Sequence, residues 1–298
     1  MSLTPPTGTN QYTINYMYLN KYKINNTLNL DSNPCFSREE TYPLFEEDLT
    51  KYKTHLKQLV EDSRSATFYK FGDGDYRFLK GIEIGSAKPG ARALSKPYKD
   101  MNLEIHNEGA LLCDYYTCEI YPENRKEFNE VINRDIDYPA EYGYGLIANK
   151  WLLREFKGKI GVIGAEPKIR LIQELLKYPE YQNYLGIDKF EDYIYFPQKF
   201  AADDLDSLEE HIKPQLQNST SKIFLVGIGH AKSGILHRFS SYASSVYLDV
   251  GGGIDMIAGC ISTKRPYAGS WTNYKLSNFD YSQIDYMNYN HGNEKLLR

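Results

Sequence analysis

Leu49, Tyr52, Leu56, Leu59 and Val60 recur at intervals of three and four. That is the spacing of one face of a helix, and it predicts an amphipathic helix over 46–60. The pattern then changes. Residues 66–71 form a near-continuous apolar run, the signature of a strand buried on both faces. The run stops at Gly72-Asp73-Gly74-Asp75, read as a turn, and helical spacing resumes over 75–80. Gly85, Pro89, Gly90 and Pro97 then break any long element, so 82–100 reads as a loop. Three helical patterns follow at 101–118, 123–134 and 141–156, with Asn102 and Pro122 as starting signals.

Strand and helix alternate in the second half. Strands are expected at 159–164, 192–196, 222–226 and 245–250, and helices at 167–178, 204–216, 231–242 and 254–259. Alternating β and α units predict an α/β fold, a Rossmann-like parallel sheet flanked by helices. Five strands are expected, with a helical insertion at about 101–156 after the first. An irregular arm over 1–45 precedes a single domain over 46–275, and a polar tail occupies 276–298.

Composition narrows the function classes. The 298 residues carry a net charge of −4, with no basic footprint for nucleic acid. No run of about 18 apolar residues offers a transmembrane segment. The N-terminal residues have neither a basic nor an apolar signal region, so a cytoplasmic location is expected. Cys35, Cys113, Cys118 and Cys260 lack metal-type spacing and read as reduced, mostly buried thiols. The 27 tyrosines read as compositional bias.

Chemistry is expected outside the carboxyl ends of the strands, where an open α/β sheet binds its ligands. There the chain places 72–75, 164–168, 197–199, 227–234 and 249–253. Asp73 and Asp75 are two hard-oxygen ligands two residues apart. A turn through Gly74 would let both face Mg²⁺ or Mn²⁺; either acid could equally cap the next helix. Gly227 and Gly229 between a strand and a helix, followed by His230 and Lys232, could cradle a diphosphate or simply make a tight turn. Glu166 caps its helix or bonds a sugar hydroxyl beside Gly164. Asp249, ahead of Gly251, Gly252 and Gly253, is a strand-end acid in a form that many S-adenosylmethionine methyltransferases use to open their sheet. Lys88 and Arg92 supply a basic loop. His55 and His211 lie among charges on predicted helices and read as surface residues, and His106, His237 and His291 have no partner spacing. Ser233 has no nucleophile elbow.

Phe71-Gly72-Asp73-Gly74-Asp75, with the strand before it and the helix after it, resembles the opening signature of the GT-D type glycosyltransferases, which usually reads Arg-Phe/Tyr-Gly-Asp-Gly-Glu. Val162-Ile163-Gly164-Ala165 and Val226-Gly227-Ile228-Gly229 look like that family's other strand-end loops, and Leu248-Asp249-Val250-Gly251 like its closing strand. Arg265-Pro266-Tyr267 and Gly269-Ser270-Trp271 resemble the end of some members. Lys70 stands where the family has Arg, Asp75 where it has Glu, and Gly252 where it often has His. The resemblance spans roughly 66–275. It implies a Rossmann-like enzyme that takes a nucleotide-sugar donor and a glycan acceptor. Asp73, Asp75 and Asp249 would be its catalytic acids, and Asp73 and Asp75 would be associated with the metal. Gly72, Gly74, Arg92, Gly164, Glu166, Gly227, Gly229, His230, Lys232 and Gly251 would line the donor site. Two other classes stay open: a methyltransferase built on 249–253, and a non-catalytic nucleotide-binding module.

Overall fold

The structure is a computed structural model that describes residues 45–82, 98–119, 122–148, 150–197 and 201–258. The expected N-terminal arm, the basic loop with Lys88 and Arg92, and the tail lie outside these residues.

The predicted first helix is α1, Phe45–Glu61, and Leu49, Tyr52, Leu56, Leu59 and Val60 are all buried. Strand β1 is Ala66–Phe71, buried at every position. Helix α2, Asp73–Leu79, follows after Gly72 alone. The acidic stretch is therefore not a turn. Asp73 and Asp75 are the first and third residues of that helix.

The segment expected to be a helical insertion is part of the sheet. It contains α3 (Leu103–Ala110), β2 (Tyr115–Cys118), α4 (Pro122–Val131), β3 (Tyr138–Pro139), α5 (Ala140–Ala148) and α6 (Trp151–Glu155). Tyr115-Tyr116-Thr117-Cys118 is rich in aromatic and β-branched side chains that suit a pleated surface. At four residues, between helical patterns, it is too short to impose its own period. Pro139 is tolerated because β3 is the edge strand.

The remaining elements are β4 (Ile160–Ala165), α7 (Glu166–Leu175), α8 (Pro179–Leu185), β5 (Tyr193–Phe196), α9 (Leu205–Gln217), β6 (Ile223–Gly227), α10 (Lys232–Ile235), α11 (Phe239–Tyr242), β7 (Val246–Asp249) and α12 (Gly253–Ile257). The long helix expected over 231–242 is broken into α10 and α11, joined by the 3₁₀ turn Leu236–Arg238. The seven strands form one sheet in the order β3-β2-β1-β7-β6-β4-β5, with every pairing parallel. This is the Rossmann-like α/β arrangement expected, with seven strands in place of five. Among the described residues, no helix is long and apolar enough to cross a membrane.

Two apolar layers cover the sheet. Leu56 of α1, Leu146 of α5, Ile172 of α7 and Ile254 of α12 pack with Phe68 and Leu248 on one face. Phe78 of α2, Phe128 of α4, Leu208 of α9 and Leu236 pack with Tyr69, Phe71 and Tyr247 on the other. The neighbours β1 and β7 thus send their following helices, α2 and α12, to opposite faces. Where adjacent parallel strands diverge in this way, a crevice opens at their carboxyl ends. The ends that meet there are Lys70-Phe71-Gly72 and Asp249-Val250-Gly251.

Candidate functional site

A buried ammonium holds the two strand ends together. Lys232, the first residue of α10, reaches between β1 and β7 and is 5% exposed. Its Nζ lies 3.0 Å from Asp75 Oδ2 and 2.9 Å from Asp249 Oδ2, and it also donates to the Lys70 carbonyl oxygen. The Tyr69 ring lies beneath it, with the centroid 4.7 Å away. Two carboxylates and a carbonyl account for all three N–H groups, and the aromatic face adds to them.

The carboxylates are as fully used. Asp75 Oδ2 also accepts the Gly72 N–H at 2.7 Å, closing the first turn of α2 from its third position, and Oδ1 accepts the Tyr69 hydroxyl at 3.3 Å. Asp249 Oδ2 takes the Lys70 N–H at 3.2 Å, and Oδ1 takes the Gly251 N–H at 3.0 Å. Burial works against ionised Asp75, but Lys232, His230, Lys70 and the Gly72 N–H outweigh it and hold the carboxyl below its usual range. Burial raises the Tyr69 phenol well above its ordinary value, and the two acids push the same way. Tyr69 therefore stays neutral.

This donor set does not fit a divalent cation on Asp75. Lys232 occupies the position between the acids that a metal would take, and every Asp75 oxygen has a partner. Among the described residues no group of three or more His, Cys, Asp or Glu converges. The turn through Gly74 that the sequence suggested is replaced by the first turn of α2, which begins at Asp73. Asp249, expected as a catalytic acid, is a strand-end staple with both oxygens engaged.

The other expected residues fall into two groups. His230 is near the centre and buried, stacked on Phe78 at 4.4 Å and 10°, with Nε2 3.2 Å from the Tyr98 hydroxyl. Gly227 and Gly164 serve packing. A Cβ at Gly227 would lie 2.5 Å from Ile254, and one at Gly164 would touch Ile169 and Ile254. Neither of these two opens toward a ligand, so the cradle reading of Gly227 gives way to the packing reading. Gly229 starts the 3₁₀ turn Gly229–Ala231 with φ of 58°. Glu166 is not part of the cluster. It pairs with Arg170 one turn along α7, 2.7 Å from its Nε.

Lys70 contributes what the sequence reading credited only as a replacement for Arg. It is the one charge in the apolar run of β1, which is itself a signal, because an unpaired lysine is rarely buried. It is 8% exposed, and its side chain points to the face opposite Lys232. Its Nζ lies 5.3 Å from the Tyr144 ring centroid and within 2.9 Å of where a Gly72 Cβ would be. Gly251, at φ of 46°, leaves room for its Cε. No described residue gives this Nζ a hydrogen bond or ion pair. Burial pulls its pKa down, but Tyr144, Glu119, Asp249 and Asp75 outweigh it, so the ammonium is held well above its ordinary value. Of the described histidines, His55 is half-buried against Tyr138 and Phe68 rather than on the surface, and His106 is fully buried.

Comparisons with protein-family models, with curated proteins and with solved structures return no match for this chain.

Proposed function

We propose that this chain is a glycosyltransferase that moves a sugar from a nucleoside-diphosphate sugar to a glycan acceptor. The observation that carries the reading is the Asp75–Lys232–Asp249 centre at the β1/β7 crevice. It fixes the stretch that resembles the glycosyltransferase signature at the sheet edge where α/β enzymes bind nucleotides. As the bond from sugar to diphosphate breaks, negative charge grows on the leaving group. A preorganised ammonium in a water-poor crevice stabilises that charge without reorganising. Here Lys232 neutralises the acids and Lys70 is the cation left over, so no step is routed through a metal. The methyltransferase reading has no contact in its favour, since Lys70 fills the space beside Gly251.

Thermal shift with UDP-, GDP- and TDP-sugars and with S-adenosylmethionine, each with and without Mn²⁺, tests the proposal. A ligand at 100 times its Kd stabilises the native state by about 2.7 kcal/mol. We expect one nucleotide-sugar series to raise Tm, and slow release of the nucleoside diphosphate in a coupled assay. Stabilisation by S-adenosylmethionine alone, or binding with no donor turnover under any acceptor, would overturn it.

A further inference from the structure

Lys70 has a neighbour in the same condition. Thr117 is directly opposite it in the β1–β2 register, on the same face, and is 4% exposed. No described residue bonds its hydroxyl. Both side chains line one cleft, together with Ala140, Gly143 and Tyr144 of α5 and Asp249 of β7. The cleft is narrow and partly open to solvent. α5 starts at this cleft. Its first-turn N–H groups have no acceptor within the helix and carry the positive end of its dipole. At Gly143 an added Cβ would meet nothing within 4 Å, which leaves an entrance.

We propose that this cleft is a phosphoryl-binding pocket, with the Lys70 ammonium and the Thr117 hydroxyl as side-chain donors and the first turn of α5 as the backbone donor. An ammonium and a hydroxyl that no described residue bonds, side by side in a narrow cleft, can both donate to one oxyanion. The donors come from two strands and a helix end, which suits a group with oxygens in several directions better than a planar carboxylate. An ammonium held charged by the surrounding acids is an anion ligand rather than an imine-forming amine. Glu119 and the cleft-lining Asp249 are the acids whose charge a bound anion must overcome. On the glycosyltransferase reading, the bound group is one of the two phosphates of the donor, and this last step alone rests on that reading.

Calorimetric titration of the full chain with inorganic pyrophosphate, without metal, tests the pocket. Wild type should bind it. Lys70→Met should weaken binding by about tenfold or more, Thr117→Val by roughly three- to tenfold, and Glu119→Gln should strengthen it. The exposed control Glu174→Gln should change nothing. Gly143→Leu, which leaves both donors in place and closes the entrance, should abolish binding. If Lys70→Met does not fold, Thr117→Val and Gly143→Leu decide the question. Absent pyrophosphate binding, or equal affinity in all variants, overturns the pocket. Nucleotide-sugar binding that survives Lys70→Met and Thr117→Val also overturns it while leaving the glycosyltransferase reading intact. Pyrophosphate binding that depends on Lys70, with no response to any nucleotide sugar, keeps the pocket and overturns that reading.

Discussion

Two lysines flank the same strand junction from opposite faces, and they differ in every respect that separates scaffold from site. Lys232 comes from a helix and spends all its donors on Asp75, Asp249 and the Lys70 carbonyl. Lys70 comes from the strand itself, is almost as buried, and its ammonium has no hydrogen-bonding partner among the described residues. Burial alone does not tell them apart, and neither does charge. Completeness of bonding does. The satisfied cation holds two strand ends in register, and the unsatisfied one waits for something the protein does not supply.

The sharpest way to break this contrast is to remove each charge in turn. Lys232→Met leaves two buried carboxylates facing each other without their cation, and breaking a buried pair from one side costs about 3–5 kcal/mol. Lys70→Met removes a charge that makes no direct pair and should stay within about 1 kcal/mol of wild type, by the same reasoning. Urea unfolding measures both. Similar losses for the two variants would mean that Lys70 is structural as well.

Gly251 tests whether the space around Lys70 is tightly shaped. Its φ of 46° lies in the left-handed region, and a Cβ there would come within 3.0 Å of Lys70 Cε. Gly251→Ala should cost about 1–3 kcal/mol, part backbone strain and part steric pressure. Combining it with Lys70→Ala, which removes Cε, should recover the steric part and give a non-additive double variant. Strict additivity would place the whole cost in the backbone.

Much of this fold was legible in the pattern of apolar positions, and the places where it was not are instructive. Strand β1 and the inward face of α1 were readable because each repeats one period for long enough. Strands β2 and β3 were not. They are four and two residues long, and their identity comes from pairing with β1, which sequence does not display. Losing them hid Thr117 and the start of α5, and with them half of the cleft. At the site, the sequence pointed to Asp75, Asp249 and Lys232 but gave each a ligand. Both acids take Lys232 as their partner, Asp75 from far along the chain and Asp249 from the end of the next strand. Asp73 was read with Asp75 as a pair across a turn, but the helix expected from 75 starts two residues earlier, at Asp73.

A pH titration separates the junction from the rest of the core. Burial holds His106 below its ordinary pKa, outweighing the Ala202 carbonyl and Asp203, which push it up. The unfolded chain therefore takes up this proton first as pH falls. Stability should decline from about pH 6.5 downward, by at most about 1.4 kcal/mol per pH unit for one group. Burial moves His55 and His237 in the same direction. Asp75 acts in another window. Its folded pKa is depressed, so its contribution is intact above about pH 4 and is lost only as pH falls further. Unfolding between pH 7 and 4.5 should thus weaken through the histidines, and His106→Gln should flatten the slope. A slope unchanged in that variant would assign the loss to His55 and His237.

The smallest expected effect is the most discriminating. Thr117→Val keeps the shape of the side chain and removes only the hydroxyl. If that hydroxyl has no partner in the free protein, the change should move stability by less than about 0.5 kcal/mol, with a slight gain the natural direction, because a desolvated polar group is replaced by a methyl. A loss of about 1 kcal/mol or more would instead show that the hydroxyl is already bonded in the free protein. In that case Thr117 belongs with Lys232 among the satisfied groups, and Lys70 alone would mark the cleft. Near-neutral stability together with weakened pyrophosphate binding is the combination that only a waiting ligand site produces.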